Sequence, residues 1–335
     1  MGDMKSEAAP LVSISVLAYN HEKYIRQCLD SILMQEVNFL YEVLIHDDAS
    51  PDGTADIIRE YEAKYPEIIK PIYQIENQYL QKNYVDLFNI DMFNIDRARG
   101  KYLAFCDGDD YWLDPKKLQK QVDFLEKHSE YIACVHHTKV IDEFGNVHQS
   151  YEFPPNYNTR DYTLSDAENL LMGNGCAGHH SSLVCQNIFI NLPKGIYMSY
   201  LQCKANNDIK LFLLLVLNGR IRRLSDTMSV YRYIISGGTS WSAGYGKIPN
   251  ICLLTYNRLR ELSQFSETSY GYTPDYTDFE NELVLVSLYK LVTHPNEDNW
   301  NITRELFTLT KDKFRLLTYI PKFTVDNMVR HLRSC

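Results

Sequence analysis

The chain has 335 residues, enough for one large domain or two smaller ones, and 45% of them are hydrophobic, which supports a packed core. Its formal net charge of −9 argues against general nucleic-acid binding, because that function needs a basic face. The eight cysteines form no CxxC pair and lie mostly in apolar segments, which indicates reduced, buried, cytosolic thiols rather than a zinc site or a disulfide framework.

The first half of the chain alternates apolar strands with amphipathic helices. Ile25, Cys28, Leu29 and Ile32 lie at the spacing of one apolar helical stripe, and Pro71 favours a sheet edge for the strand that contains it. This alternation predicts βαβ units and a mostly parallel sheet. The strands are predicted at residues 11–17, 41–45, 68–73 and 101–106, and the helices near residues 25–33, 57–61, 84–98 and 115–125.

The second half is less regular. A helix is predicted over residues 208–218, where Gly219 closes it. From about residue 250 the pattern is helical to the end. Strands are predicted at residues 132–137, 182–185 and 228–235.

Three carboxylates lie within four residues directly after the strand at residues 101–106: Asp107, Asp109 and Asp110. Carboxylates this close raise one another's pKa unless a cation neutralises them. At the carboxyl end of a buried strand, where ligands of such sheets bind, Asp107 and Asp109 would suit Mg²⁺ or Mn²⁺. The alternative is a solvated acidic turn, with Asp114 capping a helix that has Pro115 at its first position.

Polar residues also follow the first two strands. Tyr19-Asn20 comes after the first, and Asp47-Asp48 comes after the second. Each pair has a simpler explanation, because Tyr19-Asn20 could form an ordinary turn and Asp47-Asp48 could cap the next helix, although Ser50 or Asp52 suits that position better. The sequence has neither G-x-G-x-x-G nor G-x-x-x-x-G-K-[ST], so the common phosphate-binding loops are absent.

Several pieces in the right order resemble family 2 glycosyltransferases with a GT-A fold, notably bacterial enzymes that build surface polysaccharides. The resemblance covers roughly residues 11 to 241, and it implies an α/β GT-A catalytic domain over residues 1–245 followed by a helical C-terminal region over 246–335. The pieces are VSISVLAYN at 12–20, DDASPDGT at 47–54, ARGKY at 98–102 with DGDDYW at 107–112, ND at 207–208, and YR at 231–232 before Gly237-Gly238.

The resemblance implies metal-assisted transfer of a sugar, usually with inversion, from a nucleotide-diphosphate donor to an acceptor hydroxyl. By family frequency the donor is a UDP-sugar, and the acceptor is a saccharide or lipid-linked saccharide. Intact acidic motifs favour this enzyme over a catalytically impaired GT-A-fold protein that only binds nucleotide-sugars or serves as a scaffold. A nucleotidyltransferase would need a Gly-rich opening with Lys or Arg, which this sequence lacks.

Site residues are carried over by motif position. Tyr19 would pack on the base and Asp48 would bind its edge, while Asp107 would face the ribose and Asp109 would bind the divalent cation, Mn²⁺ or Mg²⁺. Asp208 occupies the position of the general base, although a helix N-cap is the simpler explanation of that residue. The remaining implied donor-site residues are Asn20, Asp47 and Gly108; Asp107 is a second implied metal ligand; and the implied acceptor-side residues are His180, Trp112 and Trp241.

One position departs from the pattern. Many relatives place a metal-binding His two residues after a Tyr-Arg pair that resembles Tyr231-Arg232, and this chain has Ile234 there. Either Asp109, phosphates and waters complete the metal shell, or metal dependence is weak. Adjacent His179 and His180 point in different directions, so we expect at most one of them to face the ligand.

The C-terminal residues suggest contact with a membrane surface. Residues 302–335 hold seven Lys/Arg and three Asp/Glu, interleaved with aromatic residues, which suits anionic headgroups. The alternative is a helix packed on the catalytic domain. No apolar signal region follows Met1, and the longest aliphatic run, Leu211 to Leu217, is too short to span a bilayer. The sequence thus predicts a cytoplasmic protein that at most lies on the inner face of the membrane.

Overall fold

The computed structural model describes residues 9–78, 89–147, 159–168, 177–234 and 250–310. These parts contain one nine-stranded sheet. The strands are β1 (Val12–Ala18), β2 (Tyr41–Asp47), β3 (Ile69–Tyr73), β4 (Tyr102–Phe105), β5 (Tyr111–Trp112), β6 (Tyr131–Ile141), β7 (Arg160–Tyr162), β8 (Val184–Gln186) and β9 (Arg220–Arg232). The helices are α1 (Ile25–Leu33), α2 (Thr54–Lys64), α3 (Met92–Ile95), α4 (Lys117–Lys127), α5 (Lys194–Gln202), α6 (Asn207–Asn218), α7 (Cys252–Tyr270), α8 (Thr277–Thr293) and α9 (Glu297–Leu309).

The sheet is parallel in its first half and mixed in its second. Strand order is β3-β2-β1-β4-β8-β6-β9-β5, and β7 also pairs with β9. The four strands β3, β2, β1 and β4 are mutually parallel, so their carboxyl ends lie at one edge. Pro71 lies in the edge strand β3, as predicted. Beyond β4, β8 runs antiparallel to both of its neighbours, while β6 and β9 pair in parallel.

Several strand and helix boundaries differ from the predicted ones, and β6 for instance runs on to Ile141 rather than ending at residue 137. Strand β9 begins at Arg220 rather than at Met228, because its polar first part pairs with the short strand β7 as well as with β6. Arg220 and Arg222 each donate to Asp161 of β7, at 2.8 and 2.7 Å. Of the helix predicted over residues 84–98, only α3 is an α-helix within the described residues, and residues 79–88 lie outside them.

Two apolar clusters cover the faces of the sheet. One joins β1, β2 and β4 to α1, α2 and α4. The other joins β4, β6 and β8 to α6 and to the C-terminal helices α7, α8 and α9. Phe105, Leu213, Leu259 and Leu283 belong to this second cluster, so the described part of the C-terminal region shares a core with the sheet. The boundary at 245 falls outside the described residues, and the two-part division stays a prediction.

The cysteines agree with a further sequence prediction. All six cysteines within the described residues are buried and free, and Cys176 and Cys335 lie outside that part of the chain. Among the described helices, none is both long enough and apolar enough to cross a bilayer.

Candidate active site

The predicted donor-site residues lie where β1, β2 and β4 end. The N–H of Asp48 donates to the carbonyl of Ala18 at 2.9 Å, and the N–H of Gly108 donates to the carbonyl of Leu17 at the same distance. The loops after these three strands therefore meet at one edge of the sheet. This is the edge at which parallel α/β sheets bind ligands.

The loop after β1 is fastened to the loop after β2. The backbone N–H groups of Asn20 and His21 donate to the side-chain oxygens of Ser50 and Thr54, at 3.0 and 2.8 Å. Asn20 has a φ of 60°, a left-handed conformation that asparagine tolerates better than most residues. Asn20 is exposed and Tyr19 is half-buried.

Asp48, directly after β2, is buried. It is 2% exposed, its Oδ1 accepts the N–H of Gln78 at 2.7 Å, and its carbonyl accepts Asn77 Nδ2 at 2.9 Å. Asp48 thereby holds the chain that follows β3. An alanine at this position would leave the Gln78 N–H without its acceptor.

Asp47 supports the same loop. Its Oδ2 accepts the N–H of Ser50 at 3.4 Å, and its Oδ1 is buried without a hydrogen-bond partner among the described residues. Burial raises the pKa of Asp47, and neighbouring carboxylates raise it further against the Ser50 hydrogen bonds. The N-cap position of α2 is Gly53, and Asp52 Oδ1 accepts the N–H of Thr54 at 3.1 Å, so Asp47 is not the cap.

A histidine faces each of the two predicted metal-binding carboxylates. His180 Nδ1 lies 3.9 Å from Asp107 Oδ2, and His21 Nε2 lies 3.8 Å from Asp109 Oδ2. The side chains of Asp107 and Asp109 are 35% and 15% exposed, so both remain accessible to a ligand. Gly108 lies between them against His21, and a Cβ atom there would be 2.7 Å from His21 Nδ1. A glycine is required at this close approach.

The electrostatics of these two carboxylates differ. Burial raises the pKa of Asp107, but attraction from His180, His179 and His21 outweighs it, so this pKa lies below its usual value. Burial raises the pKa of Asp109 as well, and there the attraction of His21 does not outweigh burial together with the charge of Asp107. A bound cation would remove this repulsion.

His180 connects Asp107 with two further carboxylates. Its ring stacks on Phe105 at 4.3 Å between centroids. Burial lowers the pKa of His180, but Asp91, Asp107 and Asp208 together raise it to about 9. Asp91 is 6% exposed, and burial raises its pKa to about 6. The predicted general base and the predicted metal-binding motif are thus within electrostatic reach of one imidazole.

Asp208 lies in the first turn of α6. The N-cap position belongs to Asn206, so the simpler helix-cap explanation of Asp208 does not hold. Asp208 is half-buried, and its Oδ1 accepts the N–H of Ile209 at 2.8 Å.

The predicted acceptor-side residues do not form one group. Trp112 is 1% exposed, donates from Nε1 to the carbonyl of Ser181 at 3.0 Å, and packs under Lys117 Nζ at 4.1 Å. The acceptor-side assignment of Trp112 is therefore corrected, because this indole is part of the core. His180 remains beside the carboxylates, whereas Trp241 lies outside the described residues.

Sequence reasoning missed His21 and Asp91. His21 directly follows Tyr19-Asn20, so its position after a strand was an available signal. Asp91 had no such signal, because it lies in a stretch that was assigned as helical and its link to His180 spans distant parts of the chain.

A divalent cation such as Mg²⁺ needs several oxygen ligands within its reach. Within the described residues, no group of three or more His, Cys, Asp or Glu side chains is arranged to hold a metal. Two accessible carboxylates with substrate phosphates are nevertheless what Mg²⁺ commonly uses. Asp107 and Asp109 fit that requirement, and Ile234, which is 8% exposed, contributes no ligand.

Comparison with known proteins places the chain in a family. Residues 13–192 match the model of glycosyl transferase family 2. The chain belongs to this family. An uncharacterized protein of Mycobacterium tuberculosis is 37% identical over 240 residues, which are 70% of this chain and 61% of that protein. EpsE of Bacillus subtilis, provisionally named a glycosyltransferase, is 37% identical over 138 residues, which are 41% of this chain and 46% of EpsE. The chain therefore spans less than two thirds of either relative.

Solved structures show that this family 2 member has a GT-A fold. S. aureus TarS 1–349 in complex with UDP-GlcNAc superposes with a TM-score of 0.58 at 18% identity, covering 88% of this chain and 79% of that chain. The mannosyltransferase PcManGT from Pyrobaculum calidifontis, in complex with GDP-Man and Mn²⁺, gives 0.51 at 14% identity, covering 97% and 86%. The predicted fold class is confirmed.

Proposed function

We propose that this protein is an inverting glycosyltransferase that moves a sugar from a UDP-sugar to an acceptor hydroxyl in the synthesis of bacterial surface polysaccharide or lipid-linked oligosaccharide. Membership of family 2 supports the reaction class. The observation that carries the proposal is the position of His180 at the carboxyl edge of the parallel strands: its ring lies 3.9 Å from Asp107, two residues before Asp109, and the charges of Asp91 and Asp208 also act on it.

The donor would occupy the edge formed by the loops after β1, β2 and β4. Tyr19 and Asp48 would contact the base there, with Asn20 and Asp47 shaping the loops around it. Support comes from the nucleotide-sugars held by two proteins of the same fold, UDP-GlcNAc in TarS and GDP-Man in PcManGT.

Asp107 and Asp109 would hold the divalent cation. When bound, Mg²⁺ or Mn²⁺ supplies Lewis-acid neutralisation of the charge that develops on the departing nucleotide diphosphate. The protein's own contribution is to present two carboxylates at accessible positions and to keep Gly108 small enough for the loop to pack against His21. Asp208 would take the proton from the acceptor hydroxyl, which requires hydrogen-bond reach in the bound state.

The acceptor and the location of the protein are further parts of the proposal. We place the protein in the cytoplasm, with its C-terminal region at the inner face of the membrane. Support comes from α9, on which Trp300 and Phe307 are 57% and 48% exposed on one helical face with Arg304 between them. A lipid-linked acceptor would be presented at such a surface.

Titration with UDP tests the donor part of the proposal. We expect UDP to bind tightly only when Mn²⁺ is present, because the diphosphate supplies ligands that the protein lacks. Asp109→Asn should lose most of the Mn²⁺-dependent gain in calorimetry. The wild type with Mn²⁺ should also hydrolyse UDP-sugars slowly. Binding without hydrolysis or transfer would instead support a nucleotide-sugar-binding scaffold. If the wild type bound no nucleotide at all, the proposal would be contradicted.

A further inference from the structure

Asp110, the third carboxylate of the motif, is buried and fully engaged. It is 2% exposed, its Oδ1 accepts the backbone N–H of Arg232 at 3.0 Å, and its Oδ2 accepts the hydroxyl of Ser181. A buried carboxylate is stable only when donors replace the water it has lost. Asp110 thereby joins the loop after β4 to the end of β9 and to the 3₁₀ turn at His180–Ser182.

The first of these connections leads to Asp109. The side chain of Arg232 donates from Nε to the carbonyl of Asp109 at 3.0 Å and from Nη2 to Gln27 Oε1 at 2.9 Å. Its guanidinium also lies 4.6 Å from the ring centroid of Tyr24. Arg232 therefore fastens the Asp109 backbone to α1 and to the loop before it, while its own backbone is held by Asp110.

The second connection leads to Asp107. Ser181 is fully buried and follows His180, whose Nδ1 lies 3.9 Å from Asp107 Oδ2. The carbonyl of Ser181 accepts Trp112 Nε1 at 3.0 Å, so the turn is held from two sides. The hydrogen bond from Ser181 to Asp110 thus sets where His180 stands relative to Asp107.

We propose that Asp110 is a positioning residue for the donor site: through Arg232 it fixes Asp109, and through Ser181 it fixes His180 beside Asp107. Asp110 itself touches neither donor nor cation. Its replacement would loosen both carboxylates together, because one side chain holds both connections. The inference rests on the proposed function, since it assigns the purpose of the network to cation-dependent donor binding.

The test compares UDP affinity with and without Mn²⁺ by calorimetry in the wild type and in Asp110→Asn, Ser181→Ala and Arg232→Lys. We expect each variant to lose about tenfold or more of the Mn²⁺-dependent gain in affinity, a loss of about 1.4 kcal/mol. UDP affinity without Mn²⁺ should stay within about twofold in Asp110→Asn and Ser181→Ala, because the bonds of these two side chains do not go to the base-binding loops. Asp114→Asn is the matched control, since Asp114 pairs with Lys120 and accepts the N–H of Lys116, outside the network.

Amide hydrogen exchange supplies a second measurement that needs no nucleotide. Asp110→Asn should speed exchange in peptides covering residues 107–112 and 179–182, and Asp114→Asn should not. If Asp110→Asn does not fold, Ser181→Ala and Arg232→Lys carry both measurements.

The outcomes separate the inference from the function on which it rests. Variants that melt at lower temperature but keep the wild-type gain from Mn²⁺ would overturn the inference and leave only a structural role for Asp110. A wild type that shows no gain from Mn²⁺ would contradict the proposed function and the inference with it.

Discussion

Adjacent histidines show how a single residue's surroundings decide its role. Burial lowers the pKa of His179 to about 4, and its ring stacks on Tyr231 at 4.3 Å between centroids. His180 has a pKa of about 9 because three carboxylates act on it. His179 is therefore neutral and His180 protonated at pH 7, and only His180 lies beside Asp107. This geometry agrees with the expectation that at most one of the pair faces the ligand, and its role there stays a proposal.

Asp208 is the residue on which the proposed chemistry depends most directly. Asp208→Asn should lower the rate of sugar transfer by about 100- to 10,000-fold, because an amide cannot take the acceptor proton. Affinity for UDP with Mn²⁺ should stay close to that of the wild type, since the base acts on the acceptor. The check is a transfer assay paired with calorimetry on the same preparation.

Helix α8 offers a matched control for Asp208→Asn. Asp278 occupies the same position in the first turn of α8 that Asp208 occupies in α6, so Asp278→Asn tests the loss of a carboxylate at the start of a helix. Near-wild-type transfer by Asp208→Asn would remove it as the base. Glu168 would be a poor replacement because its Oε1 binds the N–H of Asp275. His180 would be a poor one too, because its raised pKa of about 9 leaves it already protonated near neutral pH.

Strands β1 and β2 are joined to the residues before β4 by one buried carboxylate. The side chain of Glu42 is 3% exposed; it accepts Ser13 Oγ at 2.7 Å and Arg99 Nη2, Nε and N at 2.7, 3.0 and 3.0 Å. Glu42→Gln should lower the free energy of unfolding by about 1.5–3 kcal/mol, because it removes charge-assisted hydrogen bonds and turns a donor toward donors. Chemical denaturation measures this difference. Glu126→Gln is the control, since the Lys101–Glu126 pair is exposed and should contribute less than about 1 kcal/mol.

The difference in the free energy of unfolding between the wild type and Glu42→Gln should depend on pH. Burial raises the pKa of Glu42, but its bonds to Arg99 and Ser13 outweigh this, so its folded pKa lies below the unfolded one. The stabilisation is therefore fully present above the unfolded pKa and is lost as the pH falls through the folded pKa. The difference between wild type and Glu42→Gln should be constant above about pH 5 and should shrink below it. A difference that grew on acidification would contradict this assignment.

The elements show why some of this structure could be predicted and some could not. The strands β1, β2 and β4 are short apolar runs whose two faces are both buried, so composition alone locates them. The start of β9 has the polar sequence of a loop. It can be a strand because its arginines are neutralised by Asp161, a partner distant in sequence. The burial of Trp112 and Asp110 could not be predicted for the same reason. Both side chains bond to Ser181, which is distant in sequence.

At the scale of the whole molecule, the C-terminal helices are part of the catalytic fold's core and also expose apolar residues. Helix α7 buries Tyr256, Leu259 and Phe265 in the cluster that contains Phe105 at the end of β4. The opposite side of the C-terminal region leaves Trp300 and Phe307 of α9 largely exposed. The core contacts fix α9 to the GT-A fold. A membrane surface that α9 touches would therefore lie against the domain that carries the donor site.

That arrangement predicts binding to anionic membranes through α9 and the basic residues after it. Trp300 and Phe307 lie on one face with Arg304, and residues 302–335 carry seven Lys/Arg against three Asp/Glu. The wild type should co-sediment with vesicles that contain anionic lipid, and less so as salt rises, because basic residues near such a surface contribute about 1 kcal/mol each. The double variant Trp300→Ser, Phe307→Ser should bind several-fold more weakly, since it loses the apolar contact. Phe144→Ser is the matched control, because Phe144 is an aromatic residue that is 81% exposed in the turn after β6. Equal co-sedimentation of the double variant and the wild type would show that α9 does not touch the membrane, and failure of the wild type to bind any anionic vesicle would contradict membrane contact altogether.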